Sequence, residues 1–248
     1  VPTKKVSESC LDNKSLFILV AILVLGALTL YFTPVSEQKS PDSIDRIHQE
    51  QGWKIPGRTK IGVDIAGMGR DMTVFCSRKE YFLFLMDVNA VKGHMENAGK
   101  VKFLLQKDRS AVSIIDTIGE GAGVYARLEE QGVNRAISCK FSEGARGLTD
   151  KTEGYEFLNM RAYLYWCIRD WLNPAFDSKA CLPPDDELTE ELISVEYTFR
   201  SDGKIQIEAK DEVIKRIGRS PDRMDALANT FYPHTDRQST TDLTGFFH

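Results

Sequence analysis

The chain has 248 residues, a formal net charge of −4, 42% hydrophobic and 27% charged residues, which is ordinary globular composition and long enough for one large domain with an extension. The acidic balance lacks the basic signature of many nucleic-acid-binding domains, yet it suits a protein that gathers carboxylates around cations. Its five cysteines are scattered with no C-x-x-C pair, so neither a disulfide framework nor a zinc site is indicated; the four histidines show no ligand spacing either.

Residues 1–15 are polar and begin without methionine, as a fragment or processed product would. Residues 16–32, LFILVAILVLGALTLYF, are almost wholly apolar. That length fits a short membrane span or a signal-type segment, and Lys4, Lys5 and Lys14 before it place the N-terminus on the cytoplasmic side. Residues 33–57 read as a Pro- and Ser-containing charged linker, with a short helix over 42–51 and Trp53 docking on the domain that follows. The folded domain is expected over 58–233, and 234–248 as a mobile polar tail.

Lys60 to Ile65 is a short apolar run interrupted by Asp64 and followed by a glycine turn. With Met72 to Cys76 and Tyr81 to Val88 it predicts a three-strand meander. An ionised carboxylate within a core strand needs a partner or a metal. Apolar positions near helical spacing predict a helix over 90–106. Ala111 to Asp116 reads as a buried strand ending on an acid, Gly119 to Gly123 as a turn, Val124 to Gln131 as a helix, and Val133 to Phe141 as a strand. This alternation implies parallel strands joined by crossovers, with ligands at their C-terminal ends.

Residues 155–172 predict a long amphipathic helix whose aromatic stripe is core, and Asp185 to Leu192 a short one. Ser201-Asp202-Gly203 marks a hairpin between 193–200 and 204–209. A basic helix over 211–217 and a last helix from Pro221 to Phe231 complete the domain.

Asp64, Asp116 and Asp225 stand out by position, with Asp222 one helical turn before Asp225. Carboxylates converging from separate elements suit hard divalent cations. Two such ions roughly 4 Å apart can promote phosphodiester hydrolysis. Candidate phosphate contacts are Lys140, Arg146, Lys151 and Arg161 on one side and Lys204, Lys210, Lys215 and Arg216 on the other. The glycine turn after Asp116 lacks the dinucleotide G-x-G-x-x-G spacing but allows close approach of a nucleic-acid backbone.

Three blocks carry a family resemblance: GVDIAGMGRDMTV, IIDTIGEGAGVYARLEEQGV and YTFRSDGKIQIEAKDEVIKRIGRSPDRMDALANTF. They resemble the nuclease domain of the large terminase subunit of tailed bacteriophages over about residues 58–232, and the S-P-D-x-x-D-A-L stretch is the most specific. The resemblance implies an RNase H-like α/β fold, a mixed central sheet flanked by helices, preceded here by the apolar segment. It implies a metal-dependent endonuclease that cuts concatemeric viral DNA with two Mg2+ or Mn2+ ions. Asp64, Asp116 and Asp225 would be catalytic, and these three with Asp222 the metal ligands. Implied partners are double-stranded DNA, the portal, the small terminase subunit and an ATPase motor, in the cytoplasm of the infected bacterium. Two departures matter. The chain contains no G-x-x-x-x-G-K-[ST] motor motif, and the segment 16–32 is foreign to the family and adds an expectation of membrane tethering. Two competing readings use the same residues: an actin-like sugar kinase or ATPase, with Asp64 and the glycine turns on nucleotide phosphates, and an inactive DNA-binding or membrane-tethered remnant.

Overall fold

The computed structural model describes residues 57–67, 71–91 and 93–233. The expectations for the apolar segment 16–32, the helix over 42–51, Trp53 and the tail lie outside these residues. Among the described residues no helix is long and apolar enough to cross a membrane.

Strands β1 (Lys60–Asp64), β2 (Thr73–Lys79) and β3 (Phe82–Asn89) form the meander, and β4 (Val112–Asp116) and β5 (Ala136–Cys139) extend the sheet in the order β3-β2-β1-β4-β5. β1 runs antiparallel to β2 and parallel to β4, and β4 runs parallel to β5. The sheet is therefore mixed, and the parallel half is joined by α1 (His94–Lys107) and α2 (Gly121–Glu130). After β5 come α3 (Met160–Leu172), α4 (Asp186–Ser194), the hairpin strands β6 (Tyr197–Phe199) and β7 (Ile205–Ile207), α5 (Lys210–Ile217) and α6 (Asp222–Asn229). Gly203, at φ +81°, supplies the left-handed residue of the hairpin turn.

Strand alternation sorts the side chains to two faces. Ile61, Val63, Phe75 and Ile115 pack with Ala98, Val101 and Leu105 of α1 and Val124 and Leu128 of α2. Val74, Cys76, Val112 and Ile114 pack on the other face with α3 and α6. The aromatic stripe of α3 lies in that second core, where Tyr165 and Trp166 are buried.

Two boundaries differ from the sequence reading for definite reasons. α3 starts at Met160 rather than 155, because Phe157 bridges Ile205 and the Leu158 N–H donates to the Ile205 carbonyl at 2.9 Å. Asn159 then caps the helix by accepting from the Ala162 N–H at 3.0 Å. α2 starts at Gly121, three residues earlier than read, so close under β4 that a Cβ on Gly121 would lie 1.9 Å from the Asp116 carbonyl oxygen.

Candidate metal centre

β1 ends on Asp64, and by the same alternation Gly62 and Asp64 face α6 rather than α1. Gly62 is what lets α6 lie against the strand, since a Cβ there would sit 1.9 Å from the Ala226 carbonyl oxygen. The contact is fixed along the helix. Asn229, fully buried, donates its Nδ2 to the Val63 carbonyl at 2.9 Å, one residue from Asp64. Beyond the C-terminal end of α6, Arg78 donates to the Thr230 hydroxyl at 2.8 Å and carbonyl at 3.0 Å, and its guanidinium lies 3.9 Å from the Phe231 ring centroid. At the N-terminal end the Met224 N–H donates to Glu191 Oε2 at 2.8 Å, satisfying a backbone donor that the helix cannot.

So docked, α6 brings Asp222 and Asp225 to Asp64, and ligand oxygens of the three carboxylates lie within 4.8 Å of one another. Asp222 and Asp225 are each 4% exposed, and Asp64 is half-buried. Asp222 accepts from the Met72 N–H at 2.7 Å and from the Ser220 hydroxyl. A cation already sits among them: Lys210 Nζ, at the start of α5, is 2.9 Å from Asp225 Oδ2 and 3.5 Å from Asp222 Oδ1. Asp225 also accepts from the Tyr165 hydroxyl at 2.5 Å and has Arg161 Nε 4.0 Å away. Arg161 is anchored by donating to the Glu208 carbonyl at 2.7 Å.

The electrostatics follow from this crowding. Burial, then repulsion from Asp225, Asp222 and Asp116, pushes Asp64 well above the usual carboxylate range, with Lys210 opposing. Burial also opposes charge on Asp225, but Lys210, Arg161 and the Tyr165 hydroxyl hold it below that range. Burial likewise works against the Lys210 ammonium, and Asp225, Asp64 and Asp222 hold it well above its ordinary value. Asp116 adjoins the trio, since β1 and β4 are in parallel register with Val63 beside Ile115. Burial chiefly raises Asp116 to about 6, helped by Asp225 and opposed by the Ile118 and Phe141 N–H groups. Three carboxylates thus converge beside one ammonium and one guanidinium, with Asp116 outside the group that lies within 4.8 Å, an oxygen-donor set of the kind a hard divalent cation takes.

The sequence-derived phosphate contacts separate into groups. Lys210 and Arg161 turn inward to the carboxylates. Lys204 pairs with Glu156 at 3.3 Å, Lys215 with Glu212 at 2.6 Å and Arg216 with Glu208 at 2.7 Å. Lys151 lies over the Phe176 ring and donates to the Asp170 carbonyl at 3.4 Å. Lys140 and Arg146 are exposed. Sequence reasoning passed over Gly62, Tyr165, Asn229, Arg78 and Glu191. Only Gly62 carried a signal, a glycine inside a strand pattern, which marks a bulge or a close backbone approach.

No protein-family model matches the chain, and no curated protein matches it. Solved structures do. The nuclease domain of the large terminase subunit gp2 of bacterial virus Sf6 superposes with a TM-score of 0.61 at 23% identity, over 75% of this chain and 94% of that one. A variant of that domain with manganese and β-thujaplicinol gives 0.61 at 22% identity over 75% and 94%, and one with calcium 0.61 at 23% over 75% and 93%. The fold is thus the RNase H-like fold of terminase nuclease domains, as the sequence blocks imply.

Proposed function

We propose that the chain is a divalent-metal-dependent DNA endonuclease of the large-terminase type, cutting concatemeric viral DNA during packaging. The observation that carries this reading is the convergence of Asp64, Asp222 and Asp225 around a point already held by a positive charge. An all-oxygen donor set suits Mg2+ or Mn2+, and the Lys210 ammonium stands where a cation is stabilised. Manganese and calcium in the Sf6 domain structures support a divalent ion here too. Asp64, Asp222 and Asp225 would hold one ion, and Asp116, beside them in the strand register, would help hold a second.

Bound there, the ions would supply Lewis-acid and charge stabilisation to phosphodiester hydrolysis. The chain's own residues do the rest. Tyr165 and Arg161 keep the Asp225 carboxylate ionised and fixed in direction. The Met72 N–H and Ser220 hydroxyl fix the direction of the Asp222 carboxylate. Lys210, which here neutralises Asp225 and Asp222, would be free to meet a phosphate if a divalent ion were held by those carboxylates. By the same reading the chain works with an ATPase motor, the portal and the small terminase subunit in the cytoplasm of the infected cell, with tethering through residues 16–32.

The test is supercoiled-plasmid nicking by the full chain with Mn2+, with Mg2+ and with chelator. Nicking that requires either ion is expected. Absence of cutting with both, or cutting that persists in excess chelator, would overturn the reading.

A further inference from the structure

We infer that the rim formed by Ile118 and the loop from Lys140 to Arg146, on the β4–β5 side of the carboxylates, is the surface on which the phosphodiester backbone of duplex DNA lies. The inference rests on the nuclease reading and adds to it which side of the centre the substrate takes. Attraction to phosphate comes from cations whose charge is not already cancelled, because each must release a counterion from the nucleic acid. A lysine paired with a carboxylate is a neutral unit and contributes little.

By that criterion the two sides of the centre are unequal. On the hairpin side Lys204, Lys215 and Arg216 each have a carboxylate within 3.3 Å, and Arg216 engages both oxygens of Glu208. On the β4–β5 side Lys140 and Arg146 are exposed and, among the described residues, neither has an acidic partner. The acid between them, Glu143, is turned to the Tyr232 hydroxyl at 3.1 Å. Glu120, just before α2, contacts His94 Nε2 at 2.8 Å.

The rim is tied to the reacting centre by hydrogen bonds. Phe141, between the two cations in sequence, is 7% exposed, and its backbone N–H favours the ionised Asp116 carboxylate. The Ile118 N–H donates to the same carboxylate at 3.1 Å. The Ile118 side chain is 48% exposed. An apolar side chain left open two residues from Asp116, whose strand partner Cys139 precedes Lys140, suits a sugar or base edge flanked by phosphates.

The experiment is fluorescence anisotropy of a short labelled duplex with the full chain in chelator-containing buffer, over a salt series. Each lost phosphate contact lowers the slope of log affinity against log salt by about one. The double variant Lys140→Ala, Arg146→Ala is expected to lower it by about two and to weaken binding roughly tenfold at moderate salt. Lys204→Ala with Lys215→Ala is expected to lower it by less than one. Thermal melts of both variants should match the parent, since all four side chains are at the surface. A slope that falls as much or more in the hairpin-side variant overturns the inference, as does an unaltered slope in the rim variant. Plasmid nicking in Mn2+ separates the two readings. Nicking by the parent with undiminished DNA binding in the rim variant sinks the rim alone. Loss of binding in the rim variant with no nicking by the parent upholds the rim as a DNA surface and sinks the nuclease.

Discussion

Beneath α1 and α2 the sheet meets Val101, Leu105, Val124 and Leu128, all buried and apolar. On the opposite face the same strands meet α6, where Asp222, Asp225, Asn229 and Thr230 are just as buried and polar. Every buried acid among the described residues, Asp150, Asp170, Glu191, Asp222 and Asp225, belongs to that second side, on α3, α4, α6 or the loop before α3. Apolar burial needs only volume and shape, at about 25 cal/mol per Å2. Buried charge needs a named partner for each atom, and removing one partner is costly. The first face therefore packs apolar side chains around the sheet, while the second adds to its own apolar core a set of buried polar groups that Lys210, Arg161, Arg78 and Asn229 answer.

If that division is right, the largest effects on chemistry come from the polar face with little effect on folding. Asp64→Asn and Asp225→Asn should each lower metal-dependent plasmid nicking on the order of a thousandfold, about 4 kcal/mol of barrier. DNA binding in chelator should persist. The metal-free melting temperature of Asp64→Asn should hold or rise, because one of several mutually repelling carboxylates is gone. Nicking at the parent rate in Asp64→Asn would break the comparison outright.

The apolar face should show the reverse. Leu105→Ala should cost about 3 kcal/mol in a urea melt while nicking per folded molecule stays at the parent rate. Gly62→Ala lies at the junction of the two and should show both effects: about 2 kcal/mol of stability from forcing α6 off β1, and weaker Mn2+ binding by titration calorimetry. Equal Mn2+ affinity in Gly62→Ala would mean that the carboxylates do not depend on that close approach.

The two faces were unequally legible in sequence. The strands, the crossover helices and Asp64, Asp116, Asp222 and Asp225 as candidates all follow from local patterns: an acid breaking an apolar run, an acid ending one, two acids a helical turn apart. What answers those acids is non-local. Tyr165 sits in an aromatic stripe indistinguishable from core, and it is core, yet its hydroxyl reaches Asp225 across sixty positions. Lys210 and Arg161 were legible as cations but not as inward-facing ones, because a lysine in sequence carries no sign of which carboxylate folds beside it. Glu191 and Arg78 act on α6 from far upstream, and no spacing rule links them to it.

A smaller effect is expected at Asp222. Asparagine keeps an oxygen for the Met72 N–H, so the helix start survives while one ionic ligand is lost. Nicking by Asp222→Asn should fall about tenfold, about 1.4 kcal/mol, well short of Asp64→Asn. A loss equal to that of Asp64→Asn would mean that the three carboxylates of the group are equally indispensable to holding the metal.

The smallest effect concerns Glu191, the acid that anchors α6 without touching the centre. Burial pushes its carboxyl from an ordinary 4.5 up to about 8, against the Met224 N–H and Arg223 and Arg219. Its Oε1 meets no hydrogen-bond donor, and Arg219 Nε and Arg223 Nη1 stay 3.7 and 3.9 Å away. A folded value above the unfolded one means the fold favours the protonated acid. The stability this supplies is complete below pH 4.5 and is lost as pH rises toward 8, because the unfolded chain releases the proton earlier. Glu191→Gln keeps an oxygen for the Met224 N–H and has no such proton to lose. The variant should match the parent near pH 5 and exceed it by about 1 kcal/mol near pH 8 in parallel urea melts. Its nicking rate at saturating Mn2+ should be that of the parent, since Glu191 contacts no metal ligand. A variant less stable than the parent at pH 8 would mean that the two arginines hold Glu191 ionised, placing another paired charge on the polar face.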